Sequence, residues 1–404
     1  MLERAPIAPE EPTLRDVGSP PRSGEPAASV APQPGRPHAE RLVSLDAFRG
    51  IAIAGMILIN NPGRWHPVYA PLQHAEWNGC TAADLIFPFF LFIVGVAITY
   101  SVVPRQRRGD SRLDLGAKIL RRTLVIFGLG ILLNALPFFD WSTLRIPGVL
   151  QRIAMCYFLT ALLVLVTGIR GQSVALALLL VGYWAAMVLV PVPGHTAGTL
   201  QPGTNLAAYV DSALLSGHLL HRRWDSEGVL GTLPAIGTTL TGVLAGYWLQ
   251  SPRSTLRRVA GLFAIGDLAI LLGLAMDGVF PINKNLWTSS YVVFTTGVAL
   301  NLLGLCYWLI DINGYTRWAK PFVIYGTNPL SAYVLSSLMA KGMVLWRVAP
   351  FGGSKVVLRK YLFESCFLPF ASPVAASFLY ALTYVLFWLA LMAILYRKRI
   401  FIKI

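Results

Sequence analysis

From Leu85 to Val103 the chain carries no charged side chain. A helix of about 20 mainly apolar residues spans the hydrocarbon core of a bilayer, and this run is long enough to do so. The rest of the chain agrees, because 55% of its 404 residues are hydrophobic and 13% are charged. A soluble protein carries roughly 25% charged residues, so too few polar side chains remain here to cover a water-facing surface. The sequence reads as an all-α polytopic membrane protein.

Taken in order, residues 1–40 are rich in Pro, Ala, Gly, Glu and Arg, with hardly an aromatic or β-branched side chain. Such a segment buries too little apolar surface to offset its ordering entropy and reads as a disordered cytoplasmic tail; it has no apolar core of the kind a signal peptide needs. Residues 41–404 form the membrane domain. Spans are expected near Leu42–Asn60, Leu85–Val103, Thr123–Phe139, Ile153–Ile169, Ser173–Val192, Val229–Gln250, Val259–Met276, Leu286–Ile310, Phe322–Ala340 and Pro373–Tyr396, a bundle of about ten. Arg105, Arg107, Arg108, Arg112, Lys118, Arg121 and Arg122 follow the second span, and that density of basic residues marks a cytoplasmic loop. Both termini then lie in the cytoplasm, and the loop holding His74 lies outside. Residues 341–360 resist this pattern, since Lys341, Arg347, Lys355, Arg359 and Lys360 fall on the external side. Either a re-entrant piece lies there or the last spans sit elsewhere.

The net charge of +15 is explained by these loops, and no zinc-finger spacing or aromatic-basic platform accompanies it, so nucleic acid is excluded as a partner. Cys80, Cys156, Cys306 and Cys366 show no C-x-x-C spacing and read as small hydrophobes. There is no P-loop and no glycine-rich cradle between strand and helix. His195, His218 and His221 share one long external loop; His218 and His221 can meet on a helix face, but a zinc site needs more ligands, and none is expected. Asp225 or Ser226, ahead of an apolar run, reads as a helix N-cap. Gly128, Gly130, Gly242, Gly246 and Gly297 suit close helix approach in lipid.

Polar groups at or inside the spans stand out. Asp46 and Arg49 are three residues apart on one helix face and can pair, as a packing ion pair or as part of a site. Asp267 leaves the same choice. The segment Gln73–Asp84 places a histidine, a tryptophan and an amide directly before the second span. Histidine is the usual proton carrier near neutrality, so the segment reads as chemistry held at a membrane surface, although such a histidine is more often structural.

Ser44-Leu45-Asp46-Ala47-Phe48-Arg49-Gly50, His74-Ala75-Glu76-Trp77-Asn78-Gly79, Asp84-Leu85-Ile86-Phe87-Pro88-Phe89-Phe90, Leu150-Gln151-Arg152-Ile153-Ala154, the stretch Glu227–Gly237 and the stretch Pro281–Tyr291 together resemble the heparan-α-glucosaminide N-acetyltransferase family. The resemblance covers nearly all of residues 41–397. It implies a reaction across the membrane, in which cytoplasmic acetyl-CoA supplies an acetyl group to the amine of an extracytoplasmic glucosamine-type sugar. At its N-terminus the chain differs from the lysosomal enzyme, having the tail in place of a luminal domain and a leading transmembrane helix. It matches the bacterial members, whose expected substrates are sugars from chitin or cell-wall turnover, and whose place is the inner membrane. Family members suggest a homodimer.

The family's catalytic histidine falls on His74, and its partner asparagine on Asn60, with Asn61 the alternative alignment. A neutral imidazole can take a proton from the attacking amine or accept the acetyl group itself; an asparagine amide can donate to the developing oxyanion. Asp84 is placed to orient His74. Asp46, Arg49, Gln151 and Arg152 would line the channel for the CoA arm. Glu227, Asn283, Lys284 and Trp287 would hold the sugar, the tryptophan by stacking, and Trp77 and Asn78 of the histidine motif join this binding set. The competing reading is a transporter or flippase of amino sugars or lipid-linked sugars, in which His74 and the intramembrane charges serve proton coupling. Transporters of that kind often show two similar halves, and none is evident between 41–190 and 229–397.

Overall fold

The computed structural model describes residues 42–349 and 355–402; the tail assigned to residues 1–40 lies outside them. The described chain is mostly helical, and its spans must be, since each has to satisfy its own backbone groups in lipid. The helices are α1 (Val43–Asn60), α2 (Ala82–Ser101), α3 (Val103–Arg107), α4 (Arg112–Ala135), α5 (Val149–Val166), α6 (Ile169–Leu189), α7 (Leu206–Leu215), α8 (Thr232–Leu249), α9 (Thr255–Asp277), α10 (Ser289–Cys306), α11 (Lys320–Thr327), α12 (Pro329–Leu345), α13 (Leu358–Cys366) and α14 (Pro373–Arg397). A short antiparallel pair, β1 (Arg347–Val348) and β2 (Val356–Val357), precedes α13.

Seven of these are long and apolar enough to cross a membrane: α1, α2 with α3, α5, α6, α9, α10 with its π-helical last turn, and α14. The protein is an integral, multi-pass membrane protein. Burial separates an inner set from an outer one, with α2 67% buried in its apolar window and α6 and α9 only 17% and 22%. The outward faces of α6 and α9 show Leu178, Val181, Leu268 and Leu271. Such apolar faces suit lipid, because helix association there relies on close packing of small residues and not on hiding leucines from water.

Close packing is what the inner glycines provide. A β-carbon on Gly95 of α2 would run into the Thr239 carbonyl of α8, and one on Gly242 of α8 into the Phe92 carbonyl of α2. The same reciprocal approach joins α1 to α11 through Gly50 against Phe322 and Gly326 against Asp46. Gly128, by contrast, faces open space.

Side-chain bonds between loops define two ends of the bundle. At one end Trp77 Nε1 donates to Leu200 O, Arg145 binds Asp225, Arg359 donates to Pro62 O, and His74 meets Lys284. At the other, Gln106 donates to Leu165 O, Arg258 reaches the Tyr307 hydroxyl, and Asp311 accepts from the first free N–H groups of α1 at Val43 and Ser44. Asp46 and Arg49 form their expected pair at this second end, 3.2 Å apart, and Arg49 also donates to Gly326 O.

Three expectations change. The basic segment 112–122 is not loop but the first turns of α4, where its charges lie on exposed faces. The span expected at Phe322–Ala340 is broken at Asn328-Pro329 into α11 and α12, because proline supplies no N–H to continue a helix and restricts the residue before it. The described part of the basic stretch 341–360 forms the end of α12, the strand pair and the start of α13. Two of its cations bond to backbone far away in sequence: Lys341 donates to Leu136 O, and Arg359 to Pro62 O.

Candidate active site

The first turn of α2 organises the site. Asp84 is its third residue, and its Oδ2 accepts from the Thr81 and Ala75 backbone N–H groups, at 3.0 Å each, and from the Thr81 hydroxyl. This is half of a capping box, extended to hold the incoming loop. Pro88, one turn on, has no N–H to offer the Asp84 carbonyl. That carbonyl accepts instead from the Tyr291 hydroxyl of α10 at 2.6 Å. One proline therefore opens a backbone acceptor, and a buried phenol closes it.

The other carboxylate oxygen, Oδ1, lies 2.7 Å from His74 Nδ1. A carboxylate only accepts, so the shared hydrogen belongs to Nδ1, and the Nε2 lone pair is left as the basic edge of the ring. Asp84 is 1% exposed while His74 is 44% exposed, so a buried anion holds an accessible base. Lys284 completes the group, its Nζ 3.3 Å from Asp84 Oδ1 and 3.0 Å from His74 Nδ1.

Lys284 reaches this position from a tight turn between α9 and α10. Asn283 Oδ1 accepts from Leu286 N, its amide donates to Asn78 Oδ1, and Gly79 N donates to Ile282 O. Trp287 ends the turn with φ of 55°, a conformation that costs a bulky residue of order 1–3 kcal/mol and that full burial of its ring counterbalances. Burial pulls the Lys284 ammonium below its ordinary pKa, against the opposing charges of Asp84 and Glu227. Burial, reinforced by Asp84, pushes the neighbouring Cys80 thiol up to about 12, so it is no nucleophile at neutral pH.

A cavity of about 260 Å³ opens beside His74, lined by Gln73, Leu72, Tyr69, His66 and Trp65, by Leu58 and Ile59 of α1, and by Val374, Ser377 and Phe378 of α14. His66, Trp65, Tyr69 and Phe378 were not among the residues picked from sequence. Trp65, His66 and Tyr69 lie in a loop, where aromatic side chains carry no signal of which way they face, and Phe378 is one apolar residue among many on α14.

The remaining selected residues divide. Asn60 is exposed at the last turn of α1, and the buried Asn61 donates to Ile57 O. Trp77 is tied to Leu200 O and packs edge-on against Trp224. Glu227 is bound by Arg145, with Ser226 also donating to it. Arg152 and Gln151 are buried at the start of α5, at the His74 end. Arg152 donates to Gly228 O, while its Nε and Nη1 and the Gln151 amide nitrogen have no partner among the described residues. Asp46 and Arg49 are at the opposite end and do not join this group. Trp287 corrects an expectation: it is 1% exposed, its Nε1 donates to Thr238, and Arg152, Phe87 and Tyr291 pack around its ring, so no face is open to a sugar.

Two further corrections concern the long loop. Asp225 caps no helix, since α8 begins at Thr232; its carboxylate instead binds Arg145 and the N–H groups of Leu220 and Glu227. Burial would raise the Asp225 pKa, but the Arg145 guanidinium holds it below the usual carboxylate range. His218 bonds to Leu144 O and His221 stacks on Trp224, so the two do not converge. Arg145 itself was missed, for nothing in its local sequence points across to Asp225.

The model of the heparan-alpha-glucosaminide N-acetyltransferase catalytic family matches residues 41–276, a stretch that includes His74 and Asp84. The chain belongs to this family. It is 32% identical over 377 residues to the heparan-alpha-glucosaminide N-acetyltransferase of Mus musculus, and 32% identical over 378 residues to that of Homo sapiens. Each match covers 79% of this chain but only 57% and 56% of those relatives, so the chain spans little more than half their length. Within the family frame, the His74–Asp84 pair lies in the matched part, and Lys284 lies beyond it.

Proposed function

We propose that the chain is a transmembrane N-acetyltransferase that moves an acetyl group from cytoplasmic acetyl-CoA to the amine of an extracytoplasmic glucosamine-type sugar. The observation that carries this reading is the His74–Asp84 pair on the wall of a cavity of about 260 Å³ in a member of this family. That volume lies just below the range of about 300–1,000 Å³ usual for ligand sites and suits one sugar ring at the end of a chain. The aromatic Trp65 and Tyr69 offer the apolar faces that sugar rings pack against.

An amino sugar must be deprotonated to attack. His74 Nε2 takes the proton as the nitrogen bonds to the thioester carbonyl carbon. The tetrahedral oxyanion then collapses with cleavage of the C–S bond, and the proton on His74 returns to the leaving thiolate, giving the N-acetyl sugar and free CoA thiol. Asp84 holds the ring and stabilises its transient positive charge. An exposed amide at Asn60, or Asn61 after a local rearrangement, supplies the oxyanion donor, a contribution of about 3 kcal/mol in other enzymes. The free donors on Arg152 and Gln151 suit the amide carbonyls of the CoA arm, and the arginines of segment 105–122 suit its phosphates.

For topology we propose ten crossings, adding α4, α8 and α12 to the seven, with both termini cytoplasmic and the His74 end outside, in a bacterial inner membrane. The positive-inside rule supports this through the 105–122 arginines and the closing Arg397-Lys398-Arg399.

The test is transfer of labelled acetyl from acetyl-CoA to glucosamine by purified protein in detergent. His74→Ala is expected to lower the rate at least about 100-fold, the scale of a positioned acid–base group, with the melting temperature unchanged. A folded variant that keeps its rate would remove His74 from the mechanism.

A further inference from the structure

The cavity beside His74 has two unlike sides. The loop between α1 and α2 gives it polar atoms, on Gln73, His74, His66, Tyr69 and Trp65. The other side is made by two spans, with Leu58 and Ile59 from the last turn of α1 and Val374, Phe378 and Ala381 from α14. Among the described residues lining that side, Ser377 alone has a polar side chain, and it is already engaged. Its hydroxyl accepts from Arg64 N at 3.0 Å and donates to Arg64 O at 2.9 Å.

This division decides what fits. A sugar hydroxyl set against the helix side would give up its hydrogen bonds to water and find none in return, which is costly. An apolar group placed there only gains. The helix side is also deep. Ala381 lies about 12 Å along α14 from its first residue, Pro373, at about 1.5 Å per residue. α14 is an outer span, 28% buried in its apolar window, and it turns Leu379, Leu386 and Phe387 outward. On the loop side, Trp65 and Tyr69 are 57% and 46% exposed. Such amphipathic rings sit at the headgroup level of a bilayer. A polar rim above an apolar floor matches a molecule of the same build.

We infer that the acceptor is amphipathic: an amino sugar borne on an apolar aglycone, as in a membrane glycolipid, with the sugar on the loop side at His74 and the aglycone between α1 and α14. This rests on the proposed acetyl transfer and names the class of substrate for it. Free glucosamine fills only the loop side and is the weaker acceptor.

The experiment compares methyl and pentyl glucosaminide as acceptors of labelled acetyl from acetyl-CoA, using wild type, Ala381→Phe and Leu386→Phe in detergent. Each methylene that enters an apolar site is worth roughly fourfold, so wild type is expected to favour the pentyl compound in kcat/KM by at least about tenfold. Ala381→Phe fills the floor and is expected to bring that ratio near 1. Leu386→Phe, on the outward face of α14, is expected to keep it. A second readout needs no turnover: pentyl N-acetylglucosaminide is expected to raise the melting temperature of wild type more than its methyl analogue does, and not to do so in Ala381→Phe. A ratio near 1 in wild type would overturn the inference. So would an equal pentyl preference in Ala381→Phe, which would reflect partition into the micelle. If no acceptor is acetylated, the proposed function fails, while the melting temperatures still show whether the floor takes an alkyl chain. If Ala381→Phe does not fold, Leu58→Phe carries the same readouts.

Discussion

At the scale of single residues, the site depends on how Asp84 is held. Its side chain collects the loop, the histidine and the lysine, and its backbone carbonyl is available to Tyr291 only because Pro88 leaves it free. We expect Tyr291→Phe to leave that buried carbonyl without a donor, at a cost of about 1–3 kcal/mol, seen as a lower melting temperature with the helical content intact. An unchanged melting temperature would mean that the carbonyl finds another partner. Much of this was legible in the sequence: His74 and Asp84 stand ten residues apart on either side of a helix start, and their pairing could be expected. Lys284 was legible as a polar residue at the right end of the bundle but not as a neighbour of His74, since 210 positions separate them. Trp287 was misread for a related reason. A tryptophan at a span entrance suits either the interface or the interior, and only the turn at Asn283 decides.

At the scale of elements, the loops are fastened by charge. Arg145 joins the loop after α4 to the one before α8 through Asp225 and Glu227. Because the folded-state pKa of Asp225 is depressed, this clamp stabilises the fold fully above the ordinary aspartate value of about 4. The stabilisation fades as pH falls through the lowered folded value. Arg145→Met leaves two carboxylates without their cation, and we expect a loss of about 3–5 kcal/mol, with faster hydrogen exchange confined to residues 136–148 and 190–231. Unaltered exchange there would show that the clamp is dispensable. The spans themselves were legible because lipid imposes both length and apolarity on a helix. The break at Asn328-Pro329 carried a local signal that the apolar run masked. The strand pair and α13 carried none, being built on contacts such as Arg359 to Pro62 and Arg64 to Glu364.

For the whole molecule, the two ends of the bundle differ in kind. One gathers the His74 loop, the Lys284 turn and the cap around α13 into a cavity-bearing surface; the other presents arginines on α3 and α4. That polarity was readable from the distribution of Lys and Arg along the chain. The cavity was not, since it forms where α1, α14 and the 61–74 loop meet. The proposed reaction carries the acetyl group from the arginine-bearing end to the His74 end. Sealed proteoliposomes test it, with labelled acetyl-CoA on the face of the 105–122 segment and glucosamine on the other, comparing wild type with His74→Ala. Labelled N-acetylglucosamine is expected in the glucosamine compartment for wild type and none for the variant. Product formed on the acetyl-CoA side, or glucosamine crossing unmodified, would contradict it.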